Sequence, residues 1–182
     1  NSHASHFVRN SAVLIVVGDF DPGKMKTALE EKFGKVWQPK DLPTVQEAKV
    51  PTHKGRKIYL VDRPGSVQTS IKVGNLGIKR NDPDYFAMLV TNQILGGTAH
   101  ARLFLNIREA KGFTYGAYSK LAARKEPGAF FAEADVRTEV TNPSLQEFFY
   151  ELERMRSTKV KEEEIKAAKN YLAGSFQLGL ET

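Results

Sequence analysis

Three times along the chain, a proline follows an acidic or amide residue at the foot of an amphipathic stretch: Asp21-Pro22, Asp82-Pro83 and Asn142-Pro143. An Asp or Asn side chain accepts hydrogen bonds from the free N–H groups at a helix start. Proline suits the first helical position, where no donor is needed. Each step therefore predicts entry into a helix, and apolar residues of strand character precede each one. The spacings are 61 and 60 residues, but the flanking residues do not match. The pattern is recurrent strand-to-helix architecture rather than a solenoid.

The segments between these steps fill in the order. Residues 12–17, AVLIVV, read as a strand buried on both faces. The helix after Pro22 places Met25, Ala28, Leu29 and Phe33 on one stripe and ends at Gly34. Residues 38–56 are a polar, proline-bearing connector. Residues 57–61 and 67–76 read as two strands, turned by Arg63-Pro64-Gly65-Ser66. The helix after Pro83 carries Phe86, Leu89, Val90 and Ile94 inward and stops at Gly96-Gly97. Thr98 can cap a second short helix, with Leu103 and Ile107 facing one way and Gly112 ending it. Residues 113–121 and 128–136 form a hairpin, turned by residues 125–128.

Two helices close the chain. One is lined by Leu145, Phe148, Phe149, Leu152 and Met155, the other by Ile165, Ala168, Leu172 and Phe176. The last starts poorly, with Lys161 where a capping side chain is expected, although Glu162, Glu163 and Glu164 complement the helix dipole. The order β-α-β-β-α-α-β-β-α-α predicts an α+β fold: a mostly antiparallel sheet with helices packed on one face. It lacks the alternation of a doubly wound nucleotide fold.

At 182 residues, 41% of them apolar, residues 1–182 are expected to form a single α+β domain, poorly ordered over 1–9. No cysteine is present, which excludes a disulfide scaffold, a thiolate zinc finger, an iron–sulfur site and a cysteine nucleophile. No apolar run approaches the ~18 residues of a membrane span. The net charge of +6 hints at an acidic partner. Yet the basic residues are scattered, with small clusters at Lys54, Arg56, Lys57 and at Lys120, Arg124, Lys125, and none is interleaved with aromatics. Nucleic acid is not the expected partner.

The histidines are His3, His6, His53 and His100. His3 and His6 form an HxxH pair, but a catalytic zinc helix of the HExxH or HxxEH type needs a glutamate beside one histidine, and Ser5 precedes His6. His53 and His100 have no ligand partner at useful spacing, so no intrinsic metal site is expected. No GxSxG elbow, SxxK, GxGxxG or Walker loop occurs. Gly96-Gly97-Thr98 offers an anion site only weakly; a helix stop followed by a capped helix explains it better.

One segment stands out, ILGGTAHARLFLNIREAKGFTYGAYS over residues 94–119. Arg108 falls near the end of the short helix, and Tyr115 on the next strand, just past Gly112. A guanidinium fork and a phenol can together hydrogen-bond the carbonyls of an extended peptide. Equally, Arg108 can balance a helix C-terminus while Tyr115 packs in the sheet. The residues alone leave both open.

The same block, LGGxxxxRLFxNIRExKGxTYGxYS, resembles the zinc-free half-domain of the pitrilysin/insulinase family of inverted-motif zinc metallopeptidases, to whose superfamily the mitochondrial processing peptidase belongs. Residues 10–22, NSAVLIVVGDFDP, resemble the first strand and helix start of that half, and residues 61–71, VDRPGSVQTSI, its central hairpin. The resemblance runs from about Phe7 to the C-terminus. It implies a processing-peptidase-like α+β half-domain that faces a second half bearing HxxEH and a downstream glutamate, which bind zinc. It implies that Arg108 and Tyr115 bind the peptide backbone, with Tyr115 helping to stabilise the tetrahedral intermediate formed by zinc-activated water.

No HxxEH is present here, so the chain resembles the non-catalytic half, inactive alone, with zinc in a partner half on the same chain or a separate subunit. Its expected partners are that half and an extended or unfolded peptide. The alternative is a structural or assembly subunit of the same superfamily. The family's half-domains usually carry further helical sequence before the first strand, so a piece of a longer chain is expected. The resemblance also points to a periplasmic or extracellular setting and to exposed apolar surface where the mate docks.

Overall fold

A computed structural model describes residues 8–37, 39–41 and 55–180. The chain divides into two compact units, Asn1–His53 and Lys54–Thr182. His3, His6, His53 and most of the connector over 38–56 lie outside the described residues, as does nearly all of the stretch expected to fray.

In the first unit, helix α1 (Pro22–Leu29) starts as its sequence predicts. The Asp21 carboxylate accepts from the Lys24 N–H at 2.8 Å, and Pro22 takes the first helical position. A π-helical turn, Glu30–Gly34, continues it to the expected glycine. Met25 and Leu29 are half-buried, whereas Ala28 and Phe33 remain exposed. The strand expected over 12–17 does not form: these residues lie outside any ladder among the described residues, and Val13 and Val17 are 87% and 90% exposed. A β-branched run encodes a stiff segment that demands burial, but a strand exists only with a partner, and the described residues of this unit contain no second strand.

The second unit is an α+β fold, as the element pattern predicts. Strands β1 (Gln68–Leu76), β2 (Thr114–Leu121) and β3 (Ala129–Arg137) form an antiparallel sheet in the order β1-β3-β2. Helix α2 (Tyr85–Gly96) and a π-helical segment (Phe104–Ala110) lie between β1 and β2; helices α3 (Thr141–Ser157) and α4 (Glu162–Leu178) follow β3. The turn into β1 has the expected chemistry: the Ser66 N–H donates to the Arg63 carbonyl at 3.1 Å, with Gly65 at φ +80 behind Pro64. The strand expected over 57–61 before that turn is absent, and Ile58, Tyr59, Leu60 and Val61 are in solvent. Here too the apolar run has no ladder partner among the described residues.

Register sets the core. Ile71 pairs with Ala134, Val73 with Ala132, and Ala117 with Ala134, so these side chains share one sheet face with Val136. Leu95 of α2, Leu103 and Ile107 around the π-helical segment, and Phe148 of α3 pack onto that face. Leu103, Ile107, Val136 and Phe148 have no solvent exposure. The alanines let helices approach closely, and Gly96 carries this further: a Cβ there would collide with the Ser119 N–H of β2. Gly96 is thus a contact between helix and strand as well as part of a helix stop.

Helix entries deviate in small ways. Helix α2 begins two residues after Pro83, because the Asp82 carboxylate accepts from the Asp84 N–H (2.9 Å) and its carbonyl from the Tyr85 N–H (3.0 Å). Phe86 consequently stays exposed, beside an Arg80 guanidinium stacked 3.8 Å over Tyr85. Helix α3 begins at Thr141, ahead of Asn142, out of a 3-10 turn at Thr138–Val140. At α4 the missing cap is supplied from inside the helix: Glu164 accepts from the Lys161 N–H at 3.1 Å. Phe149 and Phe176, expected inward, are 42% and 67% exposed.

Candidate functional site: the open face of the sheet

The expected pair, Arg108 and Tyr115, flanks a single turn. Arg108 lies in the last turn of the π-helical segment and Tyr115 is the second residue of β2. Between them, Gly112 adopts φ +63. Its N–H donates to the Arg108 carbonyl at 2.9 Å, and the Phe113 N–H to the Ile107 carbonyl at 3.0 Å. Paired bonds of this kind close a helix around a left-handed residue, which favours glycine. From β3, Arg137 Nη1 donates to the Gly112 carbonyl at 2.9 Å while its Nε donates to Glu139 at 2.8 Å. The turn is clamped from across the sheet.

Arg108 sits over the Phe104 ring, 4.9 Å from its centroid, pairs with Glu109, and remains 41% exposed. Its place in the last turn complements the helix C-terminus, so that role and exposure of the guanidinium coexist. Tyr115 does not pack in the sheet: it is 89% exposed, and its hydroxyl has no partner among the described residues. The cause is a bulge. Thr114 pairs with Val136 and Ala117 with Ala134, so Tyr115 and Gly116 together oppose Asp135. Thr114 Oγ1 donates to the Asp135 carbonyl at 2.6 Å and accepts from the Gly116 N–H at 3.2 Å. A bulge re-aims the side chain it carries.

Tyr115 projects beside the sheet face that no helix among the described residues of this unit covers. Rows run across that face by register: Tyr118, Glu133 and Lys72, then Lys120, Phe131 and Gly74. Lys72 Nζ lies 2.9 Å from Glu133 and 4.5 Å above the Phe131 ring, and Ser70 hydrogen-bonds Asp135. Aromatic rings and charges thus alternate where the opposite face carries alanine, valine and isoleucine.

The strongest electrostatic feature lies elsewhere. Arg102, 6% exposed, grips Glu164 of α4 bidentately at 2.7 and 2.8 Å. That hydrogen bonding, aided by the Lys161 N–H, lowers the Glu164 pKa from 4.5 to about 2 against the opposing effect of burial. Nearby, Asn106 Nδ2 donates to Glu147 (3.0 Å) and to the buried Glu151 (2.9 Å). Nothing in the residues around Arg102 announces a partner 62 positions away. Arg137 and the bulge were equally silent in the sequence; only the register discloses them.

Among the described residues no group of three or more His, Asp or Glu side chains is arranged to hold a metal ion, and the exposed His100 belongs to none. The residues of Gly96-Gly97-Thr98 serve the helix junction: Thr98 Oγ1 accepts from the His100 N–H at 3.4 Å and the Thr98 carbonyl from the Ala101 N–H at 3.1 Å. No described helix is long and apolar enough to cross a membrane.

Comparison with known proteins bears on this arrangement. The profile of the peptidase M16 inactive domain matches residues 1–172. An uncharacterised zinc protease of Streptomyces coelicolor is 28% identical over 98% of the chain, which spans 40% of that relative's length. A solved peptidase M16 inactive domain from Pseudomonas fluorescens is 36% identical, with a TM-score of 0.59 over 62% of this chain and 27% of its own. A protease from Helicobacter pylori, 20% identical, shares the fold with a TM-score of 0.79 over 91% of this chain and 40% of its own.

Proposed function

The chain belongs to the peptidase M16 inactive-domain family, and from that premise we propose that it is the substrate-holding half of a zinc metalloendopeptidase. In this reading it binds an extended peptide across its open sheet face and completes a chamber with a zinc-bearing half. The observation that carries the reading is the bulge that turns Tyr115 out of the sheet, one Gly112 turn along the chain from a partly exposed Arg108. The Tyr115 hydroxyl has no partner among the described residues, and Arg108, though it pairs with Glu109, keeps 41% of its side chain exposed. The Arg108 guanidinium offers donors to a peptide carbonyl, and its seat on Phe104 limits the rotamer freedom lost on binding. The Tyr115 phenol can donate to a carbonyl oxygen that gains negative charge under attack, a contact worth more in the transition state than in the ground state.

This chain's described residues offer no ligand set for zinc. The metal would sit in the other half and supply the activated water there. The exposed apolar side chains of residues 58–61 are consistent with further protein surface to be covered.

The test is steady-state peptidolysis by the complete protein, zinc-bearing half included. Tyr115→Phe should lower kcat/KM about a hundredfold, as loss of one transition-state donor does. Arg108→Ala should also lower it, chiefly through KM, and zinc content should not change in either. Unchanged kcat/KM in both variants would leave the chain an assembly subunit with the same fold.

A further inference from the structure

We propose that Tyr118 is a third substrate-contacting side chain beside Arg108 and Tyr115, its phenol hydrogen-bonding the main chain of an extended peptide; this rests on the peptide-binding reading of the open face. The inference starts at Gly116, inside the bulge. A Cβ there would lie 2.6 Å from Tyr118 Cε2 and 3.1 Å from both Cζ and the hydroxyl oxygen. The Tyr118 ring therefore does not stand upright from the sheet. It lies back along β2 over the glycine, and its hydroxyl reaches the residue next to Tyr115.

The ring is also held from its side. Phe104 lies 5.6 Å away, tilted at 50°, and the same Phe104 ring carries the Arg108 guanidinium at 4.9 Å. Tyr118 thus bridges the two proposed arms: one neighbour supports Arg108, the other is the bulge that presents Tyr115. Its hydroxyl has no hydrogen-bond partner among the described residues, and the side chain is 43% exposed. A phenol fixed by ring packing and left unsatisfied by its own protein is preorganised to donate to a carbonyl or accept from an N–H. Ordering it on binding costs little, because the ring is already confined. If the ring served packing alone, the hydroxyl would be idle and phenylalanine would do as well.

Tyr118→Phe separates these roles. In the complete protein with its zinc-bearing half, assayed on a short internally quenched peptide, the variant should raise KM about three- to tenfold, the worth of one hydrogen bond, and leave kcat within about twofold. Thermal midpoint and zinc content should stay put. Gly116→Ala, which displaces the ring, should raise KM at least as much. An unchanged KM in Tyr118→Phe, with or without a shifted thermal midpoint, overturns the role of Tyr118. If Arg108→Ala still lowers kcat/KM in the same assay, the peptide-binding reading survives that loss; if Arg108→Ala and Tyr115→Phe are silent as well, both fall together.

Discussion

Alternate residues of the same three strands do opposite work on the two faces of the sheet. On the covered face, Ile71, Ala117, Ala132, Ala134 and Val136 meet Leu95, Leu103, Ile107 and Phe148, and almost nothing is left to solvent. On the open face, Lys72, Glu133, Phe131 and Tyr118 stand in mixed rows, and the bulge adds Tyr115. The difference teaches how stability and recognition can share one set of strands. Burial is non-directional and rewards volume. In the proposed reading, recognition needs polar groups that the fold has not already satisfied, and the Tyr115 hydroxyl on the face where water still competes is such a group.

The sharpest way to break this comparison is to damage the covered face. Phe148→Ala removes a fully buried ring from the middle of the core. It should cost about 3–5 kcal/mol in urea unfolding. Tyr115→Phe, on the open side, should leave the same unfolding curve within about 0.5 kcal/mol. If the two variants were equally destabilised, the functional separation of the faces would be wrong.

Arg102 and Glu164 give the next largest effect, and it depends on pH. Glu164 titrates at about 2 in the folded chain against an ordinary 4.5. A depressed carboxylate contributes stability that is fully present above its unfolded pKa and lost as pH falls through the folded value. The window is therefore pH 4.5 down to about 2, and the shift corresponds to roughly 3 kcal/mol. Glu164→Gln should lose stability of about that size at pH 7, because it leaves the Arg102 guanidinium buried without its counter-charge. The variant's unfolding free energy should also fall less steeply than the parent's between pH 5 and pH 2. Parallel curves for the two proteins in that range would show that the pair does not carry the acid sensitivity.

The strands and the helix residues that cover one face were largely readable in advance, and the open face was not. The turn residues and the runs between them located β1, β2 and β3 closely, and Asp21, Gly65 and Gly112 performed the local tasks their residue types suit. These are short-range signals. The bulge under Tyr115 is a property of register between strands, and the Arg102–Glu164 pair joins residues 62 apart, so neither leaves a local trace. Gly96 looked like a stop and is also a seat for Ser119, visible only once α2 lies on β2. The runs at 12–17 and 58–61 mark the reverse limit: apolar β-branched sequence specifies a liking for a partner, not which partner meets it. Arg108 and Tyr115 were visible as a pair by resemblance, but the exposure of Tyr115 comes from the bulge, and that of Arg108 coexists with its seat on Phe104.

The smallest effect should come from Lys72, and it tests whether the open face is structural after all. Its ammonium lies 2.9 Å from Glu133 and 4.5 Å above the Phe131 ring, with the two charged side chains 62% and 46% exposed. Cross-strand pairs that wet are worth about 0–1 kcal/mol, because water screens the charges and two long side chains must be ordered to meet. The ring adds a comparable amount at an exposed site, about 0.5–1 kcal/mol. Lys72→Met keeps most of the stem that covers Phe131 and deletes the charge. It should destabilise by at most about 1 kcal/mol at low salt, and added salt should shrink that difference, since the ion pair is the part that salt screens. A loss as large as that of Phe148→Ala, insensitive to salt, would mean that the rows of the open face hold the sheet together as the buried face does. In that case the polar character of the open face would reflect architecture, and its availability to a peptide would have to be argued from Tyr115 alone.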